Sequence, residues 1–172
     1  MRTILLTLLT VVSLLSFASC GSDRTPDGVL GQLREMPEHR FMYYAPLHIG
    51  RCVLTGDDHL NSQAYIASHY GDLVDQGLLE VSQHEKNAWR TVINISLTEQ
   101  GKGLLDANRS DEEHAFVAVC QLVPDSVLTI GELTIDTLIC KYIATIQNVT
   151  PFGEFMNFET GKEYQLEIKL RK

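Results

Sequence analysis

Apolar Tyr164, Leu166, Ile168 and Leu170 alternate strictly with polar Glu163, Gln165, Glu167, Lys169 and Arg171. A period of two places one set on each side of an extended chain, so this stretch is a strand with one buried and one wet face. A lone strand buries nothing, so the pattern demands partner strands and a layer to cover them. Ala115 to Val123 supplies an apolar run of strand character. Pro124-Asp125-Ser126 predicts a turn, followed by strands over Leu128–Ile130 and Leu133–Val149, with Gly131-Glu132 as a bend or bulge between them. Thr150 to Gly153 predicts the next turn. The second half of the chain is therefore expected to form an antiparallel sheet of about four strands.

The first half mixes helix and strand. Val29 to Met36 predicts a short helix ended by Pro37. Met42 to Thr55 is apolar and irregular, with Pro46 and Gly50. Asp57-Asp58 offers an N-cap to a helix whose apolar stripe runs through Leu60, Ala64, Ala67 and Val74. Gly77 suits the left-handed position just past its end. Leu78 to Ser82, a polar bend at His84–Asn87, and alternation through Trp89, Thr91, Ile93, Ile95 and Leu97 predict a hairpin. Thr98 caps a last helix running to Asp106. The polar run Asn108 to Glu113 marks a boundary, dividing the chain into regions 29–107 and 114–172.

At the other end, Met1-Arg2 opens a leader with an apolar run from Ile4 to Leu15, then Ser16-Phe17-Ala18-Ser19-Cys20. A basic start, a short apolar stretch and small residues before a cut site have the form of a secretory signal peptide. With Cys directly after the small pair, the segment resembles a bacterial lipoprotein signal with its lipobox, although Phe17 stands where that family usually has Leu. The resemblance implies cleavage after residue 19, acylation of Cys20 and a membrane tether through the polar stretch 20–28. Several acyl chains hold a protein firmly, at about 0.8 kcal/mol per buried methylene. Gly21 in place of Asp after the Cys implies, by the same resemblance, sorting to the outer membrane, facing the periplasm.

The elements around the predicted hairpin carry a second resemblance. A helix ending in Asp75-Gln76-Gly77-Leu78-Leu79, a two-stranded wing, and Leu97-Thr98-Glu99-Gln100-Gly101-Lys102-Gly103 are similar to a winged-helix domain over roughly residues 59 to 106. The expected fold is thus α+β, a winged-helix-like unit followed by an antiparallel sheet. That fold class says little about function.

Charge argues against the DNA binding that a winged helix brings to mind. The chain carries 22 acidic against 14 basic residues, net −8, and losing Arg2 with the leader makes it one unit more negative. DNA affinity comes largely from neutralised phosphates, yet Leu60 to Gln76 contains Asp72 and Asp75 and no Lys or Arg. No nucleic-acid partner is expected.

Chemistry-bearing motifs are sparse. His59 and His69 are ten positions apart, roughly 15 Å along a helix and too far for one ion, so Asp57-Asp58 reads as a cap and no metal or other cofactor is expected. Gly101-Lys102-Gly103 lacks the first glycine and the hydroxyl residue of a phosphate loop. No nucleophile elbow or zinc-protease motif occurs, so catalysis is not expected. Cys52, Cys120 and Cys140 lack C-x-x-C spacing. They read as small buried hydrophobes or, in an oxidising compartment, as a set whose best disulfide pair is Cys120 with Cys140. Phe152, Phe155 and Phe158 lie in an apolar loop that either closes over the sheet or forms an exposed contact patch.

These readings point first to a lipid-anchored, non-enzymatic envelope protein that binds another protein. An immunity or inhibitor protein, its acidic surface covering a basic toxin site, is one version. An accessory of an envelope assembly machine and a periplasmic hydrolase without sequence signature are the alternatives.

Overall fold

The computed structural model of the chain describes residues 25–37 and 41–171. The leader, Cys20 and most of the tether lie outside the described residues. Among those described, the chain is α+β, with five short helices and two antiparallel sheets. In chain order they are α1 (Pro26–Arg34), β1 (Met42–His48), β2 (Gly50–Thr55), α2 (Gly56–Leu60), α3 (Ser62–Asp75), β3 (Leu79–Lys86), β4 (Arg90–Leu97), α4 (Glu99–Lys102), β5 (His114–Thr134), β6 (Thr137–Gln147), α5 (Pro151–Phe155) and β7 (Glu163–Arg171). The four-stranded sheet has the order β1-β5-β6-β7 and the three-stranded sheet the order β2-β4-β3. No helix among the described residues is long and apolar enough to cross a membrane.

The chain divides into two compact units, and they do not follow the expected boundary at 107–114. One gathers the described residues through Phe41 with 122–147 and 160–171; the other gathers 42–121 with 148–159. β5 begins in the second unit and runs on into the first.

In the first unit, β6 and β7 are built by period two. Leu138, Cys140, Tyr142, Ala144 and Ile146 alternate inward on β6. Leu170 and Ile168 on β7 stand opposite Leu138 and Cys140. Val29, Leu33 and Met36 share one stripe at helical spacing and complete this core. Burying each such aliphatic side chain contributes roughly 1.5–3 kcal/mol. Thr25 caps α1 by accepting from the Gly28 amide at 3.2 Å, and Pro26 occupies the first turn, where its missing N–H costs nothing. Arg34 donates to the Pro124 and Asp125 carbonyls at 3.2 and 3.1 Å.

The turn expected at Pro124-Asp125-Ser126 does not form. β5 passes straight through it. Pairing with β1 ends at Gln121, before Pro124 is reached, and a proline is tolerated where a strand flank is unpaired. The break comes instead at Ile135-Asp136, which turns β5 into β6.

In the second unit, the segment read as irregular forms two strands. β1 pairs with β5 and β2 with β4, each having found its partner far along the sequence. Pro46 lies on β1, an edge strand, where a missing N–H is harmless. The single helix expected from Asp57 to Val74 is broken at Asn61 into α2 and α3. Asp57 and Asp58 therefore lie inside α2, and Thr55 takes the N-cap position in their place. Gly77, at φ +69, does end α3 in the left-handed region. The β3–β4 hairpin forms, and Thr98 caps α4 by accepting from the Gly101 amide at 3.1 Å.

The Cys120–Cys140 bridge is not formed. Both cysteines are fully buried free thiols, and Cys52 is a half-buried one. Cys120 stands opposite Tyr43 on β1 and Cys140 opposite Ile168 on β7, so each packs as a small hydrophobe. Burial pushes both thiols up from an ordinary 9.0 to about 11. The unfolded chain therefore gives up these protons first as pH rises. Their contribution to stability is complete below about 9 and is lost as pH rises through about 11. At mildly alkaline pH a thiol reagent is expected to label Cys52 in the native protein and to reach Cys120 and Cys140 only after denaturant is added. Rapid native labelling of either buried cysteine would contradict this packing.

Candidate functional site

The β3–β4 hairpin ends in a tight tip built by one side chain. The Asn87 carboxamide oxygen accepts from the amides of Trp89 and Arg90 at 3.0 and 3.1 Å, and the Asn87 amide donates to the Arg90 carbonyl at 3.0 Å. Asn87 Nδ2 donates to Glu85 at 3.1 Å, and Glu85 pairs with Arg90 at 3.3 Å. Asparagine favours such turns because its short side chain bonds to nearby backbone. The tip therefore fixes the backbone at Trp89, whose surface is 83% exposed.

Two further exposed hydrophobes come to the same end of the three-stranded sheet. Thr55 pairs with Arg90 and Val53 with Val92, so the end of β2 lies beside the start of β4. Val53 is 47% exposed. α2 follows β2 directly and is tied to β4 by His59, whose Nδ1 meets the Thr91 hydroxyl at 2.8 Å. Leu60 follows His59 and is 68% exposed. Asp57 and Asp58 on α2 are exposed, and Glu85 at the tip is paired with Arg90. Exposed aromatic and aliphatic groups with a polar surround are typical of protein contact sites, where tryptophan is an enriched anchor.

A polar cluster lies nearby on α3. The Tyr65 and Tyr70 hydroxyls share a hydrogen bond, and the Cys52 thiol stands close enough to act electrostatically on both. Tyr65 stacks on His69 with ring centroids 4.0 Å apart, and His69 Nδ1 lies 3.0 Å from Ser68 Oγ. Partial burial raises the Cys52 thiol and the Tyr65 hydroxyl and pushes Tyr70 up to about 12. All three stay protonated at neutral pH, so the cluster presents neither thiolate nor phenolate for attack.

The structure separates the residues that the sequence singled out. Phe152, one half of the choice between core and contact patch, is fully buried on α5, whereas Phe155 and Phe158 are half-buried. Phe158 packs toward Tyr43, ring centroids 5.7 Å apart. The aromatic run closes over the sheet, and no exposed patch forms around Phe152. His59 and His69 fall on different helices. Among the described residues, no three His, Cys, Asp or Glu side chains converge on one point. The alternation that predicts the hairpin sets Trp89 in step with Thr91, Ile93 and Ile95. Those three are buried, but Trp89 lies one step beyond the sheet. Periodicity does not report where a sheet stops. The Asn87-Ala88-Trp89 sequence at the bend is the signal that could have placed it.

Comparison of the chain with protein-family models, with curated proteins and with solved structures finds no match.

Proposed function

We propose that this chain is a lipid-anchored protein of the bacterial envelope that binds another protein, without catalysis, through the end of the β2-β4-β3 sheet. The observation that carries the reading is Trp89, almost fully exposed at a hairpin tip whose backbone Asn87 fixes, at the sheet end that also carries the exposed Leu60 and Val53. Leaving an indole in water forgoes the largest hydrophobic gain any side chain offers. A turn built to hold it there suits a surface completed by a partner. The chain's net charge of −8 favours a partner whose facing surface is basic, as in an immunity or inhibitor role.

The supporting scaffold is read as a winged-helix-like unit. The order strand, two helices, then a hairpin, with the first strand added against the hairpin's second strand, favours that reading. α3 carries no Lys or Arg, so the scaffold serves protein contacts rather than DNA. The anchor rests on the leader and Cys20, and the intact mass of the purified chain would test the acylation.

The test is crosslinking in living cells, purification from membranes and mass spectrometry of what accompanies the chain. The wild type is expected to bring down one stoichiometric partner. Trp89→Ala should weaken that capture at least tenfold, since central tryptophan anchors contribute about 2 kcal/mol or more. Capture that is unchanged in Trp89→Ala and in Leu60→Ser would remove this surface from the reading.

A further inference from the structure

β1 and β5 bring two histidines together from opposite halves of the sequence. His48 and His114 are direct cross-strand partners. The Ile49 amide donates to the Glu113 carbonyl at 2.9 Å. That places a hydrogen-bonded pair one step outward, so His48 and His114 face each other as a non-hydrogen-bonded pair, the kind with the closer side chains. Pro46, two residues back on β1, fits the same phase, because its N–H would point away from β5. Both imidazoles are exposed, with ring centroids 6.0 Å apart in an edge-to-face arrangement.

A third group completes the geometry. The carboxylate of Asp111 lies 3.5 Å from His114 Nδ1. It is fixed in turn, because the same oxygen accepts from the amides of Glu113 and His114 at 2.8 and 2.7 Å. A carboxylate on one ring nitrogen fixes the tautomer and orientation of a histidine and leaves the other nitrogen free to ligate.

We propose that His48 and His114 form a two-histidine clamp for a divalent transition-metal ion of the zinc, nickel and copper class, with Asp111 orienting the His114 ring. Two nitrogens each about 2.0–2.1 Å from a common ion lie roughly 3.3 Å apart. Reaching that separation calls for the exposed His48 ring to turn toward His114, whose ring Asp111 contacts. The protein supplies two nitrogens and solvent fills the remaining positions. Arg109, stacked over the Phe116 ring one pair further along the same face, works against any ion held by charge alone. Coordination by imidazole then decides the selectivity, which favours borderline transition metals over magnesium or calcium.

The test is calorimetric titration of zinc chloride, with nickel and magnesium chlorides in parallel, into the purified full chain after chelator treatment. One zinc or nickel ion per chain is expected, with no magnesium uptake. His48→Ala and His114→Ala should each weaken zinc binding at least tenfold, and Asp111→Asn about tenfold. Cys52→Ser and His69→Ala should leave it unchanged. Because both imidazoles are exposed, the variants should keep the wild-type circular dichroism. As a second readout, zinc should raise the melting temperature of the wild type and not that of the histidine variants. No uptake by the wild type at millimolar zinc, or uptake undiminished in both histidine variants, would overturn the proposal.

Discussion

Phe152→Ala is expected to lower the stability of the fold by about 3–5 kcal/mol, the usual cost of emptying a fully buried aromatic site. Phe152 has no exposed surface. It lies on a helix of five residues, far too short to persist by itself. That helix is fastened at its start by Thr150. The Thr150 hydroxyl donates to the Ala118 carbonyl at 2.6 Å and accepts from the Gly153 amide at 3.2 Å, and the Thr150 amide donates to the Val119 carbonyl at 2.9 Å. With the backbone pinned to β5, the segment cannot collapse into the space the ring leaves. Phe155→Ala, at a half-buried position, should cost much less. Denaturant melts measure both, as a shift in midpoint at constant slope. A loss below about 1 kcal/mol for Phe152→Ala, with Phe155→Ala as costly or costlier, would mean that the aromatic run is an exposed contact surface after all.

How much of this was legible in the sequence depended on whether the deciding interaction was local. The alternation of β7, the β3–β4 hairpin, the Thr98 cap and the left-handed Gly77 are set by residues within a few positions of one another, and all four were readable. The pairing of β1 with β5 was not, because nothing within Met42–His48 names a partner that begins at His114. The same non-locality hid the histidine pair, since each member is an ordinary polar residue in its own segment. Pro124 misled for a related reason. A proline is excluded from a strand only where its missing N–H would face a paired neighbour, and that depends on where β1 ends. The helix break at Asn61 has a physical effect the stripe concealed. It lets α2 turn so that His59 meets Thr91, while α3 starts afresh with Ser62 buried. Trp89 shows the limit from the other side, since a pattern of period two continues past the last paired residue and says nothing about the end of the sheet.

Gly153→Ala should be nearly as damaging as Phe152→Ala, although it adds a methyl group instead of removing a ring. A Cβ at Gly153 would overlap the Val119 carbonyl oxygen and come within 2.8 Å of Val149 Cγ1. The valine side chain could turn aside, but the carbonyl cannot, because it is held in β5 and already accepts from the Thr150 amide. Relief requires α5 to lift from the strand, which breaks the Thr150 cap and uncovers Phe152. Overpacking usually costs 1–3 kcal/mol when side chains can adjust. Here a backbone group is the obstacle, so about 3 kcal/mol or more is expected. Gly71→Ala provides the internal control. Gly71 lies within α3, and a Cβ there meets nothing within 4 Å. Replacing a helical glycine in open space should stabilise by up to about 1 kcal/mol. The two substitutions are chemically identical and opposite in predicted sign, so melts of the pair test the close approach itself. Equal effects would mean that α5 does not sit against Val119, and the buried place of Phe152 would fall with it.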